Sequence, residues 1–160
     1  SCSPGKYSGK SAASCASCDA GSFSGSSSAS CTACGAGKRL VNDETADESS
    51  ACSACSAGEY SGDGSTSCQS CESGKHVVNA ATPHEWVACA ACGTGKYSGP
   101  SSAACVACVA GKVRIRADTG TEDLACSDCA AGELSGESSD ECDSCATGYE
   151  ARAKRAQREG

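Results

Sequence analysis

Cysteine returns along this chain with a period of 37 residues that never slips: Cys15, Cys52, Cys89 and Cys126 each open a unit, and Cys18, Cys55, Cys92 and Cys129 follow three residues later. Twelve residues then lead to a second pair, at Cys31 and Cys34, Cys68 and Cys71, Cys105 and Cys108, and Cys142 and Cys145, and seventeen more lead to the next unit. A period of this size marks a tandem array in which each unit contacts chiefly its neighbours. It divides the chain into a partial lead-in repeat at 1–14, repeats at 15–51, 52–88 and 89–125, a partial repeat at 126–149 and a tail at 150–160. The lead-in, Cys2 to Cys15, reads as a copy of the shorter segment.

An ordinary hydrophobic core cannot hold such an array together. Leu, Ile, Val and Phe contribute twelve of 160 residues, with no Met, against 17 cysteines. Burying an apolar side chain contributes about 2 kcal/mol, while ordering the backbone costs about 1 to 2 kcal/mol for every residue. Cross-links must make up the difference, through disulfides or metal. Paired C-x2-C knuckles are a legitimate zinc spacing, and tetrads can be written at 15, 18, 31, 34 and at each later repeat. Four tetrathiolate sites would add negative charge to a chain already at -7, and no unit carries a regular His ligand. The composition therefore favours disulfides, no metal or other cofactor, and an oxidising, extracellular compartment.

Spacing leaves two pairings open. Nearest-loop pairing joins 2 with 15, 18 with 31, 34 with 52, 55 with 68, 71 with 89, 92 with 105, 108 with 126 and 129 with 142. Crossed pairing joins first with third and second with fourth inside each unit, and leaves the 17-residue segments unclosed. Closing a loop of about 15 residues contributes about 3 kcal/mol in the chain-entropy model, so a chain with so little core favours the scheme that closes every loop. That scheme leaves Cys145 as the odd cysteine, with its partner falling at position 163 by the spacing of the longer segments. The chain starts at Ser1 rather than Met. The expectation is a processed product or an excerpt that continues into a longer repeat polypeptide, or one that self-associates head to tail.

Within the short segments Gly21, Gly58, Gly95 and Gly132 follow a cysteine by three residues and precede Ser-Gly pairs at 24–25, 61–62, 98–99 and 135–136. Glycine at fixed offsets marks turns that need positive φ. Before each Ser-Gly stands Phe23, Tyr60, Tyr97 or Leu134, with Tyr7 in the lead-in, one large residue per loop to cover the adjacent cross-link. The longer segments open Gly37-Lys38, Gly74-Lys75 and Gly111-Lys112, continue into Leu40-Val41, Val77-Val78 and Val113 with Ile115, and then diverge as exposed loops do. Trp86, the only Trp, lies in the middle one beside His84 and Glu85. It is read as packing against the neighbouring disulfide, with a surface contact as the alternative. The fold class that follows is small and disulfide-rich: an elongated array of 37-residue repeats with short β-hairpins, little regular secondary structure and no large core.

At these residues the chain resembles the ephrin-receptor-like cysteine-rich repeat, whose C-x2-C-x-x-G-x-Y-S, Ser-rich turn and C-x2-C are reproduced from Cys52 to Cys71 and from Cys89 to Cys108. The opening Cys2-Ser3-Pro4-Gly5-Lys6-Tyr7 to Cys15 is similar to the first loop of tumour-necrosis-factor-receptor modules, where the flanking cysteines pair with each other. That resemblance implies nearest-loop pairing. Tandem arrays with TGKYS and AGEYS between cysteines, as at 94–98 and 57–61, resemble extracellular proteins of protists and algae, including surface antigens and fibrous cell-surface components. Leu134 in place of the aromatic and Tyr149 in place of the Lys depart from the pattern, so the last unit reads as a cap.

Catalytic chemistry finds no pattern to stand on. His76 and His84 do not recur, no G-x-S-x-G occurs, and the acidic runs around Asp43 and Asp118 read as solvated faces. The net charge of -7 argues against nucleic acid, and no apolar run reaches the roughly 20 residues of a membrane span. No N-x-S/T sequon exists, while Ser26, Ser27, Ser101, Ser102, Ser138 and Ser139 are candidate O-glycosylation sites. The tail from Glu150 carries about +2 in good helix formers and reads as a short solvated helix. The expected function is a non-enzymatic extracellular structural repeat, a stapled rod in a fibre, a flagellar-hair-like filament or a cell-surface coat, with a receptor-type binding or adhesion ectodomain as the alternative.

Overall fold

The computed structural model describes residues 1–10 and 12–145, so Tyr149 and the basic tail lie outside the described residues. Among these residues the strands form eight two-stranded sheets and no larger one. In the shorter loops two-residue strands pair: Lys6–Tyr7 with Ala16–Ser17, Ser22–Phe23 with Thr32–Ala33, Glu59–Tyr60 with Gln69–Ser70, Lys96–Tyr97 with Val106–Ala107, and Glu133–Leu134 with Asp143–Ser144. In the longer loops three-residue strands pair: Lys38–Leu40 with Cys52–Ala54, Lys75–Val77 with Cys89–Ala91, and Lys112–Arg114 with Cys126–Asp128. Hairpins of this length do not hold in water by themselves.

Disulfides hold them. The bonds are Cys2–Cys15, Cys18–Cys31, Cys34–Cys52, Cys55–Cys68, Cys71–Cys89, Cys92–Cys105, Cys108–Cys126 and Cys129–Cys142, which is the nearest-loop pairing. Each zinc tetrad is thereby split, since Cys15 is bonded back to Cys2 while Cys18 is bonded forward to Cys31.

The chain divides into two compact units. One comprises Ser1–Cys71, His76–Ala90 and Ser101–Ala103, and the other Glu72–Lys75, Ala91–Pro100 and the described residues from Ala104 onward. The first has two small cores, one of Phe23, Cys34, Ala51 and Cys52 with Leu40 against it, the other of Tyr60, Cys71 and Ala88 with Val77 and Cys89. The second is built around Tyr97, Cys108, Ala125 and Cys126. In each core the single aromatic of a short loop covers the disulfide of the long loop that follows, as the residue pattern predicts. Leu134 departs from it and is 52% exposed.

The divergent stretches of the long loops are not loops throughout. Each ends in one helical turn, Glu48–Ala51, Glu85–Ala88 or Glu122–Ala125, that runs straight into the returning strand. The turn carries its last residue, Ala51, Ala88 or Ala125, into full burial against the cross-link. It also aims that alanine's carbonyl at two backbone donors: Val41 and Asn42, Val78 and Asn79, or Ile115 and Arg116, at 2.7 to 3.2 Å.

Tyr97 gives the core a pH dependence. Burial pushes its phenol above the ordinary tyrosine range, and the Glu122 carboxylate adds to the rise. A raised pKa means that the folded state holds this proton more tightly, so stability is unaffected below about pH 10 and falls as pH climbs past it. Thermal melts should accordingly show Tyr97→Phe gaining on the unaltered protein between about pH 8 and pH 11; a constant difference across that range would contradict the assignment.

Candidate functional site

The feature that recurs most faithfully is the junction between loops, and one serine per short loop builds it. Ser24, Ser61, Ser98 and Ser135 are all buried, the first three each just after the aromatic that covers a disulfide and the fourth after exposed Leu134. The hydroxyls donate to the carbonyls of Lys6, Lys38, Lys75 and Lys112 at 3.0, 2.8, 2.8 and 2.8 Å. In three of them a disulfide sulfur, of Cys18, Cys55 or Cys92, sits 3.3 to 3.4 Å from the same oxygen. That sulfur carries no hydrogen, so the hydroxyl proton is committed to the lysine carbonyl.

The serine backbone is used as fully. The carbonyls of Ser24, Ser61, Ser98 and Ser135 accept from Gly5, Gly37, Gly74 and Gly111 at 2.8 to 3.0 Å. The amides of Ser24, Ser61 and Ser98 donate to Asp43, Ala80 and Ala117 at 3.0 Å. One residue thus ties a short loop to the long loop before it and to the long loop after it.

A second tie lies at the tip of each short loop. Ser27, Gly64, Ser101 and Ser138 hold φ of 60, 66, 55 and 59°. Their amides donate to the carbonyls of Cys2, Cys34, Cys71 and Cys108 at 2.8 to 3.1 Å. Successive short loops meet here as well: a Cβ on Gly21, Gly58 or Gly95 would fall on the backbone of Gly64, Ser101 or Ser138. These three glycines also have φ of 79, 85 and 63°, so glycine is required for conformation and for space together.

The same bonds revise the reading of the lead-in. By length the Cys2–Cys15 loop copies a short segment, but Cys2, Gly5, Lys6 and Ser8 receive or donate the bonds that Cys34, Gly37, Lys38 and Leu40 make in a long loop. It is a long loop shortened, because contact with the next loop needs only the strand and its preceding turn.

Trp86 does not pack on a disulfide. It is 76% exposed and stacks on His84, ring centroids 4.2 Å apart and planes 20° from parallel, because the turn Glu85–Ala88 spends its inward position on Ala88. Of the candidate O-glycosylation serines, Ser26, Ser27 and Ser101 are exposed and Ser102, Ser138 and Ser139 half-buried. Cys145 is unpaired and half-buried, with its amide donating to Gly132 at 2.8 Å. Three carboxylates of the acidic stretches, Glu48, Asp118 and Glu122, are engaged in surface ion pairs. Lys38 reaches Glu48 at 2.7 Å, Lys112 reaches Glu122 at 3.6 Å, and Arg116 reaches Asp118 at 3.3 Å. Lys38 and Arg116 hold the carboxyls of Glu48 and Asp118 below the usual range, first through the hydrogen bonds they donate.

Sequence reading missed two sets of residues. The junction serines read only as turn formers, although their fixed place before Gly every 37 residues was the available signal. The alanines at 51, 88 and 125 also repeat, immediately before a cysteine, but alanine is too common to stand out.

The chain is therefore a small disulfide-rich protein of tandem cysteine-rich repeats joined by a repeated hydrogen-bonded junction. No protein-family model matches it, and no curated protein does. Among the described residues no helix is long and apolar enough to cross a membrane.

Truncating a junction serine tests its weight. Ser61→Ala removes the hydroxyl from the Lys38 carbonyl at a buried position and should cost about 1 to 2 kcal/mol in denaturant unfolding. Ser56→Ala, at an exposed position in the same loop, should cost close to nothing.

Proposed function

We propose that this chain is a non-enzymatic extracellular structural protein, a stapled segment of a fibre, filament or cell-surface coat. The observation that supports this reading is the uniformity of the junction. The serine, tip and glycine contacts are spent on joining one loop to the next and recur with the same partners along the repeat. Eight disulfides suit a secreted or surface location. The resemblance to ephrin-receptor-like and tumour-necrosis-factor-receptor-like repeats points to the same setting, as do the extracellular arrays of protists and algae.

Electron microscopy of the native material, labelled with an antibody to the Cys52–Cys71 segment, tests the reading. Label along a filament or coat is expected; label confined to isolated soluble particles would overturn it. The second reading is a receptor-type ectodomain, favoured by the one exposed aromatic pair, His84 and Trp86, which no other repeat carries. A partner whose capture disappears in Trp86→Ala would support that reading instead.

A further inference from the structure

The tips of the short loops share one backbone shape but not one chemistry. Ser27, Gly64, Ser101 and Ser138 all hold positive φ, and the residues before them are Ser26, Asp63, Pro100 and Glu137. Asp63–Gly64 is the only place in the chain where Asp or Asn precedes glycine. Such a pair reacts with itself when it is free to move. The Gly64 nitrogen attacks Cγ of the Asp63 side chain, since a five-membered ring results and glycine puts no Cβ in the way. The N–Cγ bond forms as the amide proton and a carboxyl hydroxyl leave together as water, giving a succinimide. Water then reopens one of the two imide bonds. Cleavage of N–Cγ restores aspartate. Cleavage of the original peptide C–N bond instead leaves the chain running through the Asp63 side chain, as isoaspartate with one more backbone carbon.

The fold withholds both reactants. The Gly64 amide donates to the Cys34 carbonyl at 2.8 Å, and a nitrogen in that bond keeps the proton it would have to lose. The Asp63 carboxylate accepts from the Ala36 amide at 2.8 Å through Oδ1, which turns it toward the preceding long loop. A Cβ on Gly21 would fall on the Gly64 carbonyl, so the neighbouring short loop leaves the tip no room to turn. Gly21, Cys34, Ala36, Asp63 and Gly64 all belong to the first of the two units. Burial plays little part, because Asp63 is exposed and Gly64 half-buried. We infer that, whatever assembly the chain joins, Asp63–Gly64 is a latent isomerisation site, closed by the junction between loops and released when that junction opens. The change runs one way. The extra backbone carbon displaces Gly64 from the Cys34 carbonyl, so a repeat that has once been reduced or unfolded carries a covalent mark and re-forms this tie imperfectly.

Ageing the full chain at neutral pH, oxidised in one sample and reduced and alkylated in another, tests this, with isoaspartate located by electron-transfer fragmentation mass spectrometry. In the reduced chain isoaspartate is expected chiefly at Asp63. In the oxidised chain it should form there at least about ten-fold more slowly, because reaction then tracks the small population in which the junction is open. Gly21→Ala should speed it in the oxidised chain by displacing the Gly64 carbonyl, with the disulfides verified by non-reducing mass spectrometry. Gly64→Ser gives the tip the residue that Ser27 and Ser101 carry at nearly the same φ, and should slow the reaction several-fold in the reduced chain. Equal rates in the oxidised and reduced chains would overturn the inference, since the fold would then withhold nothing. So would absence of isoaspartate at Asp63 in the reduced chain, or its even spread over Asp63 and Asp143, which precedes Ser144. A Gly21→Ala chain with every disulfide intact and an unchanged rate would show that the junction is not the lock. Should that variant fail to form its disulfides, the oxidised and reduced chains of unaltered sequence decide the matter between them.

Discussion

Removing the Cys71–Cys89 cross-link as a Cys71→Ala, Cys89→Ala double variant is expected to lower stability by about 4 kcal/mol, and full reduction to unfold the chain. Loop closure over a sequence separation of 18 accounts for about 3 kcal/mol. The remainder comes from the packing of fully buried Cys71 against Tyr60 and Ala88, which two smaller side chains leave underfilled. Removing Cys55–Cys68 should cost about 3 kcal/mol, because its loop entropy is nearly the same but its cysteines are only half-buried. Denaturant unfolding of the two double variants measures the difference. Equal losses would mean that the small cores contribute nothing beyond the cross-links. Retention of native near-ultraviolet circular dichroism after complete reduction would mean that the cross-links are dispensable.

Gly58→Val should cost about 3 kcal/mol or more, and it should do so without touching any cross-link. The position holds φ of 85°, and its Cβ would fall on the carbonyl of Ser101. Val at positive φ is strained by itself; relieving the clash would also separate two short loops and break the bond from Ser101 to the Cys71 carbonyl. Gly9→Ala is the control, since nothing lies within 4 Å of its Cβ, and it should be neutral or gain a few tenths of a kcal/mol. Hydrogen exchange locates the damage. Faster exchange at the Ser101 amide in Gly58→Val is expected, and unchanged exchange there would show that the short loops do not support one another.

Much of this architecture is legible in the residues because disulfide spacing is a one-dimensional signal. The interval between Cys34 and Cys52 states the loop, and loop entropy favours closing it. Phe23, Tyr60 and Tyr97 were legible as covers for the same reason, one large residue per loop in a chain with few others. Ser61 was not, since a serine beside glycine fits any turn, and only the fold reveals a buried hydroxyl aimed at a carbonyl 23 residues away. Trp86 misled in the opposite direction. Its size suggests burial, but a four-residue turn has one inward position, and Ala88 takes it. The lead-in deceived by length, because Cys2 to Cys15 matches a short loop in count while its bonds are those of a long one.

The pairing of adjacent loops also fixes how far the polypeptide can be pulled. A tension applied along the chain does not travel through the loops; it crosses each disulfide, with Cα atoms 5.6 to 5.9 Å apart, and then the three peptide steps from Cys15 to Cys18 or from Cys52 to Cys55. Two such crossings and two such links limit the contour of a 37-residue repeat to about 33 Å, against about 130 Å for the same residues unbridged. Rupture of every hydrogen bond in a repeat would leave the rest of its length locked behind sulfur. The extension of the chain is thus capped until disulfides break, and reduction would convert it into a tether several times longer.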